Sequence, residues 1–439
     1  MCYGVFRVDH CRFRTGLFAL NHRDSVAFQT YDNQAYQLRG VRHWLLVILF
    51  SSVFLQRFAL PVGVDGVPIN LVINLTVMGF LLLRGQLSVD PARAALVLMF
   101  AAYALLSTAF NGDRSSYSSA LLAIAMYIPF AFMLRSLDTF FTDCLRAFQS
   151  MTLVCAILGI AQFFLQFVVS SKFLFTFHNF LPPWILLDGF ANLLPIEYSS
   201  PLNRSNGFFM VEPSVFSQYI ALAVIIEMLF FQVKWRLAVY GAALLFSYSG
   251  TGLMAFVLLP FIMLSRRSYG TIAALALFAA VALLTADLWH ADVAQQRAAE
   301  FGSNTSSAYA RYFAPADLIG RYLIVNPQGL VFGLGPGSIR DYIIQMPYET
   351  HDPAWAKLLV EYGLVGSALF WTMFVLAVFS NSPSMWLSTA LTIGFLCFGG
   401  ELLDPRLQSL LLIFCVLPKR AAFASLRSIG DMRMVENAT

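Results

Sequence analysis

The sequence predicts an all-α polytopic membrane protein with about twelve transmembrane helices and a large late outer loop that contains short helices. Of its 439 residues 59% are hydrophobic and 12% are charged, and the mean hydropathy is +0.70. Soluble domains carry roughly 25% charged residues. Apolar windows of about 20 residues, each able to cross the hydrocarbon core as a helix, recur through most of the chain after residue 43. Little sequence is left for a soluble domain.

The individual spans follow from these apolar windows. In chain order they are predicted near 43–60, 67–83, 92–110, 117–134, 147–170, 213–231, 235–250, 251–265, 269–288, 355–380, 385–400 and 406–417. The last span is short, and Ser249-Gly250-Thr251-Gly252 leaves almost no loop between the seventh and eighth spans. The count of twelve is therefore approximate.

Basic residues near the span ends predict the orientation, because Lys and Arg close to a span are retained in the cytoplasm. With the N-terminus inside, the short outer loops keep only Arg57, Arg114 and Arg406. The cytoplasmic side receives Arg39, Arg42, Arg84, Arg93, Arg135, Arg146, Lys234, Arg236, Arg266, Arg267, Lys419 and Arg420. We therefore expect a helix bundle over 43–420 between two cytoplasmic tails, 1–42 and 421–439.

Two long segments, 171–212 and 289–354, then lie outside. All six cysteines map to the cytoplasm or to spans, so neither outer loop is expected to hold a disulfide or a Cys-ligated metal. The net charge of +4 reflects the topology and gives no case for nucleic-acid binding.

The first outer loop ends with charged residues at the mouth of a membrane helix. Arg204 and Glu212 precede Pro213, and proline is favoured in the first turn of a helix. Glu212 would lie beside the positive end of the helix dipole. It is either a capping carboxylate or a functional one, and both readings stay open.

The second outer loop predicts a helix from about Ser306 to Val325, stopped by Asn326-Pro327. Arg311 and Arg321 lie on it, about 80° apart around the axis, and so could flank one site. Each alone is as well explained by a lipid phosphate or an exposed ion pair. Topology does not explain so many arginines on outer segments, namely Arg204, Arg297, Arg311, Arg321 and Arg340.

The segment 333–351, GLGPGSIRDYIIQMPYETH, combines a glycine-rich turn with a histidine. It lacks the Gly-Lys-Ser/Thr of a Walker loop and the strand of a dinucleotide fingerprint, and an outer loop meets no dependable nucleotide pool. An anion held by the amides of Gly335 and Gly337 and by arginines is still compatible with it. His351 can exchange a proton near neutral pH.

The next span begins beside this histidine. Asp352 precedes Pro353 and can cap the helix. Lys357 and Glu361 are four residues apart and can pair with each other. Near the last outer turn, Asp404 and Arg406 are expected to form an ion pair.

With these residues in place, the chain from about residue 43 onward resembles the O-antigen ligase and Wzy-type polysaccharide polymerase family. Members show an Arg in each outer loop, a G-x-G-x-G turn, and a His-Asn followed by L-x-E-x-G-x-x-G. The matching positions are Arg204 within RSNGFFMVEPSVFSQ, Arg311, GLGPGS, His351 and Glu361 to Gly366. Two departures affect His351: Asp352 follows it instead of Asn, and the interval to Gly363 is one residue longer.

The resemblance implies a GT-C-like glycosyltransferase in the bacterial inner membrane. Such enzymes transfer a glycan from a polyprenyl diphosphate carrier to an acceptor hydroxyl at the outer face, without nucleotide, cofactor or metal. The implied partners are the polyprenyl-diphosphate-linked oligosaccharide and membrane lipids, with chain-length regulator and flippase proteins as further candidates. The catalytic candidates are His351, Arg204 and Arg311, and the substrate-binding candidates are Glu212, Arg321, Arg340, Gly335 and Gly337.

Three functions remain to be separated. GFFMVEPSVFSQ resembles exopolysaccharide and capsule polymerases, so a polysaccharide polymerase is the first expectation, and an O-antigen ligase that uses a lipid core as acceptor is the alternative. A transporter or flippase would place its charges near the bilayer midplane, often within an inverted repeat. Here the charges are concentrated in the outer loops, and Glu227 lies toward the cytoplasmic end of its helix.

Overall fold

The computed structural model describes residues 40–61, 66–135, 140–187, 189–190, 192–196, 200–231, 233–255, 307–397 and 401–418. The predicted span 269–288, most of 251–265, residues 289–306 with Arg297, and nearly all of both predicted tails lie outside these ranges. The helices in the first half of the described chain are α1 (Gly40–Phe54), α2 (Ile69–Leu83), α3 (Pro91–Asn111), α4 (Tyr117–Tyr127), α5 (Phe140–Leu165), α6 (Ser171–Phe175), α7 (Pro213–Ile226), α8 (Lys234–Ser247) and α9 (Gly250–Ala255).

The second half continues the helical architecture. Its helices are α10 (Ser307–Tyr312), α11 (Ala314–Leu318), α12 (Pro327–Phe332), α13 (Ile339–Ile343), α14 (Ala354–Phe379), α15 (Met385–Cys397) and α16 (Pro405–Leu411). Two antiparallel pairs of very short strands join helices: β1 (Ala59–Leu60) with β2 (Val67–Pro68), and β3 (Leu87–Val89) with β4 (Phe132–Leu134). The helical class predicted from the sequence is therefore confirmed.

Four described helices are long and apolar enough to cross a membrane: Pro91–Arg114, Phe140–Leu165, Pro213–Phe231 and Ala354–Phe379. Shorter apolar helices are Gly40–Phe54, Ile69–Leu83, Tyr117–Ala131, Met385–Leu396 and Pro405–Val416. The length and composition of these helices indicate a membrane protein. The total of twelve spans stays a prediction.

Helix α7 lies at the centre of the bundle. In its most apolar window 78% of the residues are buried by other parts of the protein, a far larger share than in the other three long helices. It packs against α5, α8, α9 and α15. Glu212 is its N-cap residue and Pro213 its first residue, as the sequence predicts.

Helix starts follow the capping chemistry of the sequence. Asp90 accepts hydrogen bonds from the amides of Ala92 and Arg93 at the start of α3, with Pro91 in the first turn. Asp404 accepts one from the amide of Arg406 at the start of α16 and also pairs with the Arg406 guanidinium. The predicted Asp404–Arg406 ion pair is therefore confirmed.

Charged groups assigned to the cytoplasmic side meet one another at one end of the bundle. Arg42 at the start of α1 lies 3.1 Å from Asp143 at the start of α5. Arg236 of α8 lies 3.6 Å from Glu227, just after α7. These pairs join the helix ends that the topology places on the same side.

Candidate active site

Helix α14 is broken at Gly363, where φ is 64° and ψ is −168°. A Cβ atom there would lie 2.4 Å from the amide nitrogen of Gly333 and 2.5 Å from the carbonyl oxygen of Val331. At Gly333, with φ of 84°, a Cβ would lie 2.3 Å from the Glu361 carbonyl oxygen. The two glycines therefore let the loop backbone and the helix backbone touch directly.

The glycine-rich loop replaces the hydrogen bonds that this break removes from α14. The amide of Leu334 donates to the carbonyl of Val360 at 2.9 Å, and the amide of Gly335 donates to that of Glu361 at 3.0 Å. The Tyr103 hydroxyl of α3 donates to the carbonyl of Tyr362 at 3.1 Å. Three carbonyls at the break are thus paired by groups outside α14, as buried backbone groups require.

Gly335 and Gly337 form the other side of this junction. Both have positive φ, and a Cβ on either would lie within 3.0 Å of the turn between α3 and α4, at Ser115 or Ser116. The Ser116 amide also donates to the Pro336 carbonyl at 2.7 Å. The loop therefore fastens α14 to α3 and α4, and an anion-binding role for its two glycines stays a prediction.

A buried charge cluster lies at the start of α14. The Lys357 ammonium is 2.9 Å from a carboxylate oxygen of Asp352 and 3.2 Å from one of Glu361. The predicted Lys357–Glu361 pair is therefore confirmed. Asp352 does not cap the helix as expected: Pro353 is the N-cap residue, and the Asp352 carboxylate is taken by Lys357.

His351 is held beside the helix that carries Arg311. Its backbone amide donates to the carbonyl of Ala310 at 2.9 Å, and its Nε2 lies 3.3 Å from a Glu349 carboxylate oxygen. The side chain is 33% exposed, so it is accessible yet partly desolvated. Burial, followed by the charge of Arg311, lowers the pKa of His351, while Glu349, Asp352 and Glu212 oppose that shift. The net direction favours neutral imidazole at pH 7.

Arg311 lies on α10 with an unused donor. Its Nη1 makes a long contact of 3.5 Å with the hydroxyl of Thr251 at the start of α9. Its Nε is buried and has no hydrogen-bond partner in the described part of the chain. A buried guanidinium donor without an acceptor is costly, and an anion beside it would relieve that cost.

Glu212 completes a cluster built from separate outer segments. Its carboxylate accepts a hydrogen bond from the Ser214 hydroxyl at 2.9 Å and makes no side-chain cap to the helix backbone. Its charge acts on the His351 imidazole, as does that of Arg311. The structure therefore brings together Glu212 from the first outer loop with Arg311 and His351 from the second.

Arg321 forms an ion pair, which is one of the two alternatives to a site role that the sequence analysis gave for it. Its guanidinium lies 2.8 Å from the Asp317 carboxylate, which the Tyr348 hydroxyl also contacts. Hydrogen bonds from Tyr348 and then Arg321 lower the pKa of Asp317. Arg321 therefore has its own carboxylate partner, whereas Arg311 keeps a buried Nε without one in the described part of the chain.

The remaining candidates lie in other surroundings. Arg204 is half-buried and donates to the carbonyls of Pro195 at 3.0 Å and Ile196 at 3.4 Å, so it braces the first outer loop. Arg340 is exposed on α13, which packs against α14. Their catalytic and substrate-binding roles stay predictions.

The first turn of α9 supplies contacts that the sequence did not assign. A Cβ on Gly252 would lie 2.4 Å from the Ser217 carbonyl oxygen, and the Gly252 amide donates to the Ser217 hydroxyl at 3.1 Å. This approach anchors Thr251 beside α7, where it meets Arg311. The only signal in the sequence was the absence of a loop around Gly250.

Comparison with known families matches residues 44–421 to the model described as WcaD colanic acid polymerase. The match covers nearly all of the predicted helix bundle. The chain belongs to the WcaD colanic acid polymerase family. This family is of the Wzy type, so the resemblance found in the sequence is confirmed. A search of curated proteins gives no match.

Family membership sets the general activity. It indicates a polysaccharide polymerase that acts in a membrane, and it does not favour the ligase alternative. Within the described residues, no group of three or more His, Cys, Asp and Glu side chains is arranged to hold a metal ion.

Proposed function

We propose that the protein joins glycan repeat units by transfer from a polyprenyl diphosphate carrier to an acceptor sugar hydroxyl at the outer face of the inner membrane. The observation that carries this proposal is the convergence of Glu212, Arg311 and His351 from two outer loops. These are the groups that such a transfer needs: a proton acceptor, a cation and a carboxylate.

In the proposed reaction the acceptor hydroxyl oxygen forms a bond to the anomeric carbon of the donor. The bond between that carbon and the diphosphate oxygen breaks, and the lipid diphosphate leaves with the electron pair. The hydroxyl proton passes to the neutral His351 imidazole, for which a lowered pKa is suited. Arg311, with its unpaired Nε, stabilises the charge that develops on the leaving diphosphate.

Glu212 has a positioning role in this scheme. Its carboxylate accepts from Ser214 and acts electrostatically on His351. It is placed to orient sugar hydroxyls or to hold the imidazolium that forms after proton transfer. Arg204 stays a catalytic candidate, and Arg340, Gly335 and Gly337 stay substrate-binding candidates.

The proposal is tested with three variants in a strain that lacks the native gene. We expect Arg311→Lys and His351→Ala to insert normally and to lower polymer formation by about 10²–10³-fold, the usual effect of losing one group that acts in the transition state. Arg321→Lys is the matched control, because that arginine is exposed and has its own carboxylate. Equal loss in all three variants, or none in the first two, would contradict the assignment.

The same strains distinguish the alternative functions through their lipid-linked glycans. A polymerase defect accumulates single repeat units on the carrier. A ligase defect accumulates long chains on the carrier, and a flippase defect leaves repeats on the cytoplasmic side. An unchanged glycan profile together with restored export of a small solute would indicate a transporter instead.

A further inference from the structure

An aromatic groove runs between α1, α5 and the first outer loop. Its volume is about 670 Å³, within the range of about 300–1,000 Å³ typical of small-molecule sites. All eleven lining residues are apolar and seven are phenylalanines. They include Phe50 and Phe54 of α1, Val154 and Leu158 of α5, and Phe177 and Phe209 of the loop.

The groove opens on the lipid-facing side of predicted spans. Phe50 is 46% exposed and Val154 is 46% exposed, although both lie on apolar helices long enough to enter the membrane. The space is wide enough for a segment of a lipid chain. Such a segment would gain contact with phenylalanine rings of α1 and the outer loop and with aliphatic side chains of α5.

A buried positive charge lies beside the aromatic residues that line the groove. Arg57 is 3% exposed, its guanidinium lies 4.5 Å from the centroid of the Phe177 ring, and its Nη2 has no hydrogen-bond partner. It donates to the carbonyls of Met210 and Phe175 and forms no ion pair with a carboxylate in the described part of the chain. In a low-dielectric surrounding, such an unbalanced charge attracts an anion to the part of the groove beside Phe177.

The groove lining is joined to the candidate active site by a short stretch of chain. Phe209 lines it, and the chain then runs through Met210 and Val211 to Glu212 in three residues. The bond from Arg57 to the Met210 carbonyl, at 2.9 Å, fixes this short connection. The groove lining and Glu212 are therefore linked by a short, fixed stretch of backbone.

We propose that this groove binds the isoprenoid chain of a phosphate-headed carrier lipid, with the phosphate drawn to the Arg57 end. The inference rests on the proposed function, since it assigns a place to the lipid of that reaction. It defines the ligand chemistry by two parts, a branched unsaturated chain for the rings and an anionic head for the guanidinium.

The test is photo-crosslinking of the full-length protein in vesicles with a polyprenyl diphosphate that carries a diazirine on its chain. We expect the label on groove residues, and we expect Val154→Trp, which fills the groove from α5, to lower labelling about tenfold, a change worth about 1.4 kcal/mol. Ile157→Trp is the matched control, because Ile157 is 51% exposed on the same helix and does not line the groove.

Competition identifies the ligand. Unlabelled polyprenyl phosphate should displace the probe, uncharged polyprenol should displace it less well, and phosphatidylglycerol should not displace it at matched concentration. Equal displacement by phosphatidylglycerol would show a groove filled by bulk lipid. Labelling that is the same in both tryptophan variants, or a crosslink that shows the groove covered by another segment of this chain, would also overturn the proposal.

The two proposals fail separately. The labelling experiment is repeated in His351→Ala, because binding requires no turnover. Lost groove labelling with a normal dependence of polymer formation on Arg311 and His351 would remove the lipid site and leave the proposed function. Specific groove labelling in a protein whose Arg311 and His351 variants make normal polymer would remove the proposed function and leave the lipid site.

Discussion

At the scale of single residues, His351 titrates among charges of both signs. Burial and Arg311 lower its pKa, and Glu349, Asp352 and Glu212 raise it by smaller amounts. The folded-state pKa is therefore below the ordinary value of about 6.5. On the proposed role, the imidazole must be neutral to accept a proton, so the rate of polymer formation should fall only as the pH drops below about 6.5.

The variant Glu349→Gln tests this prediction, because it should shift the pKa of His351 in a known direction. Its carboxylate raises the pKa of His351, so its removal should lower that pKa further and move the acid limb of the rate profile to lower pH. Initial rates in vesicles as a function of pH measure the shift. Asp341→Asn is the control, because Asp341 is exposed and does not act on His351. An acid limb that moves to higher pH would rule out this electrostatic account.

Lys357 is a second residue whose surroundings predict a measurable effect. Its side chain is 9% exposed and lies between two carboxylates. Lys357→Met would leave the buried Glu361 carboxylate and the half-buried Asp352 carboxylate without a cation, and we expect a loss of about 3–5 kcal/mol in the free energy of unfolding, mainly from Glu361.

Thermal unfolding in detergent tests the effect, with Lys234→Met, at an exposed lysine, as the control. Adding Glu361→Gln to Lys357→Met should recover part of the loss, because one buried charge is then removed. Equal stability of the two single lysine variants would contradict the cluster's structural role.

At the scale of elements, the junction between the glycine-rich loop and α14 depends on bare backbone. Gly363→Ala would place a Cβ on backbone with φ of 64° and ψ of −168°, a region essentially restricted to glycine, which costs about 1–3 kcal/mol before any steric conflict. It would also force the backbone of Val331 and Gly333 away. We expect a lower melting temperature and a reduced yield of folded protein.

Gly79→Ala in α2 is the matched control for this prediction. No atom lies within 4 Å of the added methyl group, and alanine in a helix is favoured over glycine by roughly 0.5–1 kcal/mol. The control should therefore be neutral or slightly more stable. If Gly363→Ala is equally stable, the contact between the two backbones does not contribute to the stability of the fold as predicted.

The secondary structure of the second outer loop could be predicted only in outline. A helix was expected over 306–325, and the chain is helical over most of that range, but α10 ends at Tyr312 and a π-turn covers Ile319–Leu323. Asn326 ends the run as predicted and also caps α12 by accepting from the Gly329 amide. Periodicity predicted the helix. The break after Tyr312 precedes Pro315 in the first turn of α11, whereas the π-turn packs against α14.

The site was predictable to a similar degree. Residue types and loop positions identified Glu212, Arg311 and His351 as candidates from the sequence. Their proximity required the contact of Ala310 with His351 and of Thr251 with Arg311, which are long-range and leave no local pattern. The pairing of Arg321 was within reach of the sequence, because Asp317 lies four residues before it and i,i+4 ion pairs are a local helical pattern. Only the contact of Tyr348 with Asp317 depends on the fold.

At the scale of the whole molecule, the distribution of basic residues predicts that both termini are cytoplasmic. The contacts Arg42–Asp143 and Glu227–Arg236 join the ends that this topology places together. A fluorescent reporter fused after Thr439 should therefore be active, because it folds in the cytoplasm. A phosphatase fused after Gln345, in the second outer loop, should be active only outside. An inactive reporter together with an inactive phosphatase would show the opposite topology, with the candidate site in the cytoplasm.

The crossing of Gly333 with Gly363 also bears on how such proteins can diversify. Because the two backbones touch, a foreign outer loop grafted onto this bundle would need a bare crossing point opposite Gly363 and amides in register with Val360 and Glu361. The glycine-rich loop and α14 must therefore be exchanged together. Chimaeras with relatives of different sugar specificity should succeed when the segment from Pro327 to Phe379 is transferred whole, and fail when the boundary falls between the two glycines.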